Sequence, residues 1–115
     1  MQDYMNMNGG KERFKERVRG WAIRLKAPVV SITVRPMKTK WASYSTTGRL
    51  TFDALLPELP EELQDYVIVH ELLHSRVPNH GKLWKSLMRA HLGNYEGLEA
   101  ELKEIVHSRS IVRTG

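Results

Sequence analysis

The chain has 115 residues, which is enough for one domain built around a single core. Its hydrophobic share of 41% and charged share of 27% are typical of globular proteins and exclude a wholly disordered chain. The absence of cysteine excludes disulfides, cysteine-bound metal clusters and thiol nucleophiles. Eighteen lysines and arginines against thirteen acidic residues give a formal net charge of +5, which favours anionic partners such as nucleotides, nucleic acid or acidic peptides.

The first half of the chain predicts one helix followed by a small sheet. Residues 1–10 are polar, end in two glycines and are predicted to be a flexible arm without the apolar core of a signal peptide. Apolar residues at helical spacing predict an amphipathic helix with a basic outer face over residues 11–26. Alternation predicts a strand over residues 30–34, and segments 41–45 and 49–53 are predicted to pair as a hairpin.

The second half predicts three helices. The helix over residues 63–74 is apolar on nearly every side and is therefore predicted to be buried, with Pro60 in its first turn. Two further helices are predicted over residues 81–92 and 96–107, followed by a frayed tail over residues 108–115. No apolar run is long enough to span a bilayer, and we expect a cytoplasmic protein.

The buried helix carries the sequence His70-Glu71-Leu72-Leu73-His74. Residues four apart share a helix face, so both imidazoles can reach one metal ion from a single turn. Glu71 lies about 100° round the helix, from where it can accept a proton from a water held on that metal. The alternative is a pair of satisfied core histidines. It is disfavoured because two unpaired histidines and a glutamate would be costly to bury.

His80 is the predicted third ligand, because a proline and an asparagine in the intervening segment let the chain turn back toward the metal. Three protein ligands with an open fourth position are the arrangement of a catalytic zinc, and no cysteine can close that position. The sequence therefore predicts a single zinc ion held by His70, His74 and His80.

Several other residues are weaker candidates. Tyr66 and Tyr95 are candidates to donate a hydrogen bond to a transition-state oxyanion, although packing is the commoner role of a buried tyrosine. His91 is predicted to pack near the metal without binding it, and His107 is predicted to lie on the surface. Three basic residues lie before the hairpin, namely Arg35, Lys38 and Lys40. They are candidates to face a phosphate or carboxylate of the substrate, and the alternative is a solvated basic loop.

Three segments carry a resemblance to a known family. They are Met37-Lys38-Thr39-Lys40-Trp41-Ala42-Ser43 with Gly48-Arg49-Leu50-Thr51-Phe52, then Val67-Ile68-Val69-His70-Glu71-Leu72-Leu73-His74, then Pro78-Asn79-His80-Gly81-Lys82-Leu83-Trp84. Together they resemble the YgjP-like metal-dependent hydrolases, their SprT-like and WLM protease relatives, and the minimal gluzincin-like peptidases of the M48 type. Ala42-Ser43-Tyr44 departs from the Gly-Ser-Cys common in that family.

The resemblance implies zinc binding by His70, His74 and His80, with Glu71 as general base and Trp84 packed behind the third ligand. If some members of the family use a downstream glutamate in place of the third histidine, Glu96 and Glu99 would be the candidates here. The implied fold is an α+β minimal zincin in which residues 11–107 form one catalytic domain. It has a small, mainly antiparallel sheet, a backing helix, a buried zinc-binding helix and two C-terminal helices.

The implied function is a zinc metallopeptidase that cleaves peptide bonds with a water activated by Glu71 and the zinc ion. An extended substrate would lie along the edge strand of the sheet. The isolated chain is a candidate for latency, with its own arm or tail in the cleft. Two alternatives stay open: a metal-dependent nucleoside triphosphate pyrophosphohydrolase, and a SprT-like protease acting on proteins bound to nucleic acid.

Overall fold

A computed structural model describes residues 2–77 and 79–114, with side chains described for residues 9–77 and 79–106. Within those residues one helix is followed by three strands and then by three helices. Their bounds are α1 Gln2–Leu25, β1 Ser31–Arg35, β2 Ala42–Tyr44, β3 Arg49–Asp53, α2 Glu61–Leu73, α3 Lys82–Leu92 and α4 Tyr95–Thr114. A short 3-10 turn, Leu56–Glu58, lies between β3 and α2. No helix in the described part of the chain is long and apolar enough to cross a membrane.

The sheet has the strand order β1-β3-β2, so that β3 lies in the centre. The predicted hairpin of β2 and β3 is confirmed, and Leu50 and Phe52 of β3 are fully buried as its alternation requires. The mainly antiparallel sheet predicted from the sequence is corrected to a mixed one, because β1 pairs with β3 in parallel. The chain reaches β2 at the far edge first. It then turns back into the space beside β1, which makes β3 parallel to β1.

Helix α1 packs its apolar face against α2, and the Phe14 ring contacts the Phe52 ring edge-on at 5.0 Å. The helix begins at Gln2 and not at the predicted residue 11, while the flexibility of residues 1–10 stays a prediction. The sequence before the two glycines contains three methionines, and methionine is a good helix former. Lys26 ends the helix in the left-handed region, with φ of 54°.

Helix α2 is the centre of the fold, and it contacts the other three helices and β2. Ile68, Val69 and Leu72 are fully buried, which confirms the predicted buried helix. Pro60 caps the helix just outside its first turn, where its lack of an N–H costs nothing. The helix that carries the histidines is therefore held on most of its circumference.

One partly buried carboxylate joins α1 to α2. Oδ1 of Asp65 accepts hydrogen bonds from Arg17 Nε at 2.6 Å and from Trp21 Nε1 at 2.8 Å. The Asp65 carboxylate also raises the pKa of Arg17 above its usual value. Three side chains, two of them from α1, thereby fix the rotation of α2 about its own axis.

The two predicted C-terminal helices are confirmed as α3 and α4. Helix α4 runs to Thr114, beyond the predicted end at residue 107, while the frayed tail over residues 108–115 stays a prediction. No glycine or proline follows Gly97 until the last residue of the chain, and nothing in that stretch interrupts a helix. His107 lies outside the residues whose side chains are described.

Candidate metal centre

His70 and His74 lie one turn apart at the C-terminal end of α2, and their ring centroids are 5.1 Å apart. After α2 the chain turns tightly, with Val77 donating its backbone N–H to Leu73 and burying its side chain. This turn brings His80 back to the helix, where its ring lies 5.0 Å from each of the other two rings. One ring nitrogen from each of the three histidines lies within 4.8 Å of the others.

The geometry of the three imidazoles fits a divalent metal ion. Nε2 of His74 and Nε2 of His80 are 3.3 Å apart, close to the roughly 3.3 Å between two nitrogens bound tetrahedrally to zinc at about 2.0–2.1 Å. Partial burial and the neighbouring His70 and His74 lower the pKa of His80 below its usual value. The neutral imidazole, which is the form that binds metal, is thereby favoured.

Glu71 lies beside the histidine cluster. Its Oε2 is 3.4 Å from Nδ1 of His70, and its side chain is only 16% exposed. The carboxylate is outside the group of three ring nitrogens and lines the cleft next to it. A carboxylate so placed can exchange a proton with a molecule in the cleft.

Trp84 of α3 is buried behind the histidines. Its ring centroid is 4.3 Å from that of His80 and 5.2 Å from that of His70. This is the place that the resemblance implied for it. His91 does not share that place, because it contacts Trp21 of α1 at 5.9 Å. It follows Trp84 by about two helical turns, which carries it along the helix away from the cluster.

A cleft of about 460 Å³ opens beside His70 and Glu71. Of the sequence candidates, Tyr66, Lys38 and Lys40 line it. Arg35 and Tyr95 are not among the described residues of its wall. Arg35 ends β1, and Tyr95 packs its ring on Trp84 at 5.9 Å.

The sequence did not reveal that α4 forms one wall of this cleft, through Glu99, Leu102, Lys103 and Val106. The Tyr66 hydroxyl donates a hydrogen bond of 3.1 Å to Oε2 of Glu99. Burial, with the nearby charge of Glu99, raises the pKa of Tyr66 above its usual value. The stripe of Leu98 and Leu102 indicated that α4 packs on the core, but no local pattern indicated on which element.

Neither glutamate considered as a third ligand belongs to the histidine cluster. Glu99 accepts the Tyr66 hydroxyl, and Glu96 forms an ion pair with Arg89 at 2.7 Å. The arrangement therefore favours His80 as the third member of the group.

The fold is that of a small α+β domain, and its three clustered histidines could hold a metal ion. The family model described as the YgjP-like metallopeptidase domain matches residues 5–105. The chain belongs to this family, as the resemblance in its sequence indicated. An uncharacterized protein, MJ0123, of Methanocaldococcus jannaschii is 35% identical over 106 residues, which cover 88% of this chain and 96% of that protein.

Two crystal structures are similar to this chain. The metallopeptidase zymogen jannalysin of Methanocaldococcus jannaschii has a TM-score of 0.68 and 35% sequence identity, covering 80% of this chain and 93% of that one. The metallopeptidase zymogen abylysin of Pyrococcus abyssi has a TM-score of 0.71 at 19% identity, covering 82% and 95%, and shows the same fold. The predicted α+β fold class is confirmed, and the family supports a metallopeptidase.

Proposed function

We propose that the chain is a zinc-dependent peptidase in which His70, His74 and His80 hold one zinc ion and Glu71 is the general base. The observation that carries this proposal is the convergence of three ring nitrogens within 4.8 Å, next to a cleft that Glu71 lines. Membership of a metallopeptidase family supports the class of reaction.

When bound, the zinc ion polarises the carbonyl of the cleaved bond and lowers the pKa of a water molecule. Glu71 accepts the proton of the attacking water as the new C–O bond forms. It then returns this proton to the amine nitrogen as the C–N bond breaks, which leaves a free carboxylate and a free amine. Nδ1 of His70, at 3.4 Å from Oε2 of Glu71, keeps the carboxylate beside the cleft during this exchange.

The substrate is an extended peptide that lies along β2. Among the described strands β2 pairs only with β3, so its other edge offers main-chain hydrogen bonds. Ala42 of β2 lines the cleft together with His70 and Glu71. Binding through the main chain places a backbone carbonyl near the histidines without requiring one particular side chain.

The chain is latent as isolated. Jannalysin, its 35% identical structural relative, is described as a metallopeptidase zymogen. In this chain the side chain of Val106, late in α4, lines the cleft that receives the substrate. Placement of the cleaved bond at the histidines then requires that the part of α4 beyond Lys103 move aside. A cytoplasmic location stays a prediction of the sequence.

The test is cleavage of a peptide library by zinc-loaded protein, read by mass spectrometry, before and after limited proteolysis that removes α4 residues. Glu71→Gln is the matched control, because it keeps the size of the side chain and removes the base. Cuts made by the wild type and missing from the variant are the expected result. Turnover of nucleoside triphosphates with no peptide cleavage would contradict the proposal and favour a pyrophosphohydrolase.

A further inference from the structure

Three lysines line the cleft beside the histidines, and the proposed mechanism uses none of them. Lys38 and Lys40 lie in the segment between β1 and β2, and Lys103 lies on α4. All three are exposed. The cleft also contains two carboxylates, but Glu99 accepts the Tyr66 hydroxyl and Glu71 is the proposed base. The lysines, which we name the lysine rim, are thus free of any role in the hydrolysis itself.

The backbone of the segment that carries Lys38 and Lys40 is anchored on both sides of the two lysines. Met37 donates its N–H to Oδ1 of Asp53 at 2.8 Å, and the N–H of Asp53 donates to the carbonyl of Trp41 at 2.8 Å. Asp53 is itself only 2% exposed, in the last position of β3. Both hydrogen bonds involve the buried Asp53, so the backbone of this segment is already ordered. Ligand binding would therefore cost little further backbone entropy.

The third lysine, Lys103, lies on the wall of the cleft that α4 forms. Lys103 follows Leu102, which is buried in the core, and lies one turn after Glu99. The hydrogen bond from Tyr66 of α2 to Glu99 fixes this part of α4 to the helix that carries the histidines. The rim is therefore a set of cations on anchored backbone, next to an apolar wall that includes Trp41 and Val67.

We propose that the lysine rim selects peptides with acidic side chains close to the cleaved bond. This inference rests on the proposed function, because it assumes that the cleft receives a peptide. An extended peptide presents alternate side chains to one face, so an acidic residue at every second position would meet the rim. The apolar wall would contact the hydrocarbon stems, while the ammonium groups bind the carboxylates.

Binding to zinc-loaded Glu71→Gln tests the inference without turnover. The probes are two blocked, fluorescein-labelled hexapeptides, one of alternating alanine and glutamate and one of alternating alanine and glutamine, followed by fluorescence anisotropy. We expect the glutamate peptide to bind about five-fold more tightly at low salt, because each exposed ion pair contributes only a small part of the binding free energy. The difference should shrink at high salt, where exposed charges are screened.

Paired variants locate the effect. In the Glu71→Gln background, Lys38→Gln with Lys40→Gln should abolish the preference. Lys11→Gln with Lys26→Gln removes the same net charge from exposed positions outside the cleft wall and should leave it intact. Lys38→Glu with Lys40→Glu should reverse the preference toward a peptide of alternating alanine and lysine.

Equal binding of the two peptides, or binding of neither, would overturn the lysine rim as a selective site. Tighter binding of adenosine triphosphate than of the glutamate peptide would assign the rim to phosphate and also overturn the proposal. Because these readouts need no cleavage, a wild-type chain that cuts no peptide even after limited proteolysis would contradict the proposed function separately.

Discussion

The hydroxyl of Tyr66 donates to Oε2 of Glu99 over 3.1 Å and so joins α2 to α4 beside the histidine cluster. The two residues are 33 positions apart, and the Tyr66 ring is almost fully buried. The ring also lies 5.8 Å from that of His70. This polar contact connects the helix of the proposed metal ligands with the helix that forms one wall of the cleft.

Replacement of Tyr66 by phenylalanine tests this contact. Tyr66→Phe keeps the ring and removes the donor, so we expect a loss of about 0.5–1.5 kcal/mol in the free energy of unfolding with zinc binding retained. Glu99→Gln keeps an acceptor oxygen and should cost less. Chemical denaturation with zinc titration measures both quantities. An unchanged stability in Tyr66→Phe would show that the bond does not hold α4.

Asp65 is expected to be the most sensitive polar residue between α1 and α2. Its side chain is 18% exposed and accepts from Arg17 and Trp21. Asp65→Ala leaves both donors without this acceptor, and we expect a loss of about 2–4 kcal/mol in the free energy of unfolding. Glu104→Ala, at an exposed position of α4, is the control and should change it by less than about 0.5 kcal/mol. Thermal denaturation measures both variants. An equal loss of stability in Asp65→Ala and Glu104→Ala would contradict the role of Asp65.

Trp84 offers a test of the packing behind the histidines. It is 3% exposed, and its indole N–H has no hydrogen-bond partner in the described part of the chain. Trp84→Phe keeps a ring against His80 and removes that N–H, so zinc affinity should change little. Trp84→Ala should lose about 3–5 kcal/mol of stability and bind zinc more weakly. Equal damage to zinc binding by both variants would show that the N–H, and not the ring, is what matters.

The lowered pKa of His80 predicts how pH affects the zinc-free chain. Below the usual value of 6.5 the unfolded state takes up a proton on His80 that the folded state resists, so stability falls as pH drops through this range. Above it His80 contributes no pH dependence. His80→Gln should flatten the profile of unfolding free energy between about pH 5 and 7. A profile that is the same in the variant and the wild type would contradict this assignment.

The sequence predicted local features of the molecule well. The buried helix and the placement of His70 and His74 follow from helical periodicity, and the β2–β3 hairpin follows from alternation about a turn. The return of His80 to the helix could be predicted, because the turn depends on the few residues between His74 and His80. These features depend on neighbours along the chain, where period and turn chemistry are informative.

Features that depend on distant contacts were not predicted. The parallel pairing of β1 with β3 depends on the position of β3 in the sheet, between β1 and β2. The hydrophobic periodicity of the sequence does not indicate that position. The Asp65 contacts join residues more than 40 positions apart, and the α4 wall faces the cleft through Glu99. Apolar spacing predicts that such helices pack on the core, but their partners are decided by tertiary packing.

Zinc K-edge X-ray absorption on the zinc-loaded chain, with metal stoichiometry measured on the same sample, tests the proposed three-histidine zinc site. We expect one zinc per chain, bound by three imidazole nitrogens at about 2.0–2.1 Å. His80→Ala should leave two imidazoles and a much weaker site, whereas His91→Ala should match the wild type. Fewer than three imidazoles in the wild type, or an unchanged spectrum in His80→Ala, would contradict zinc binding by His70, His74 and His80.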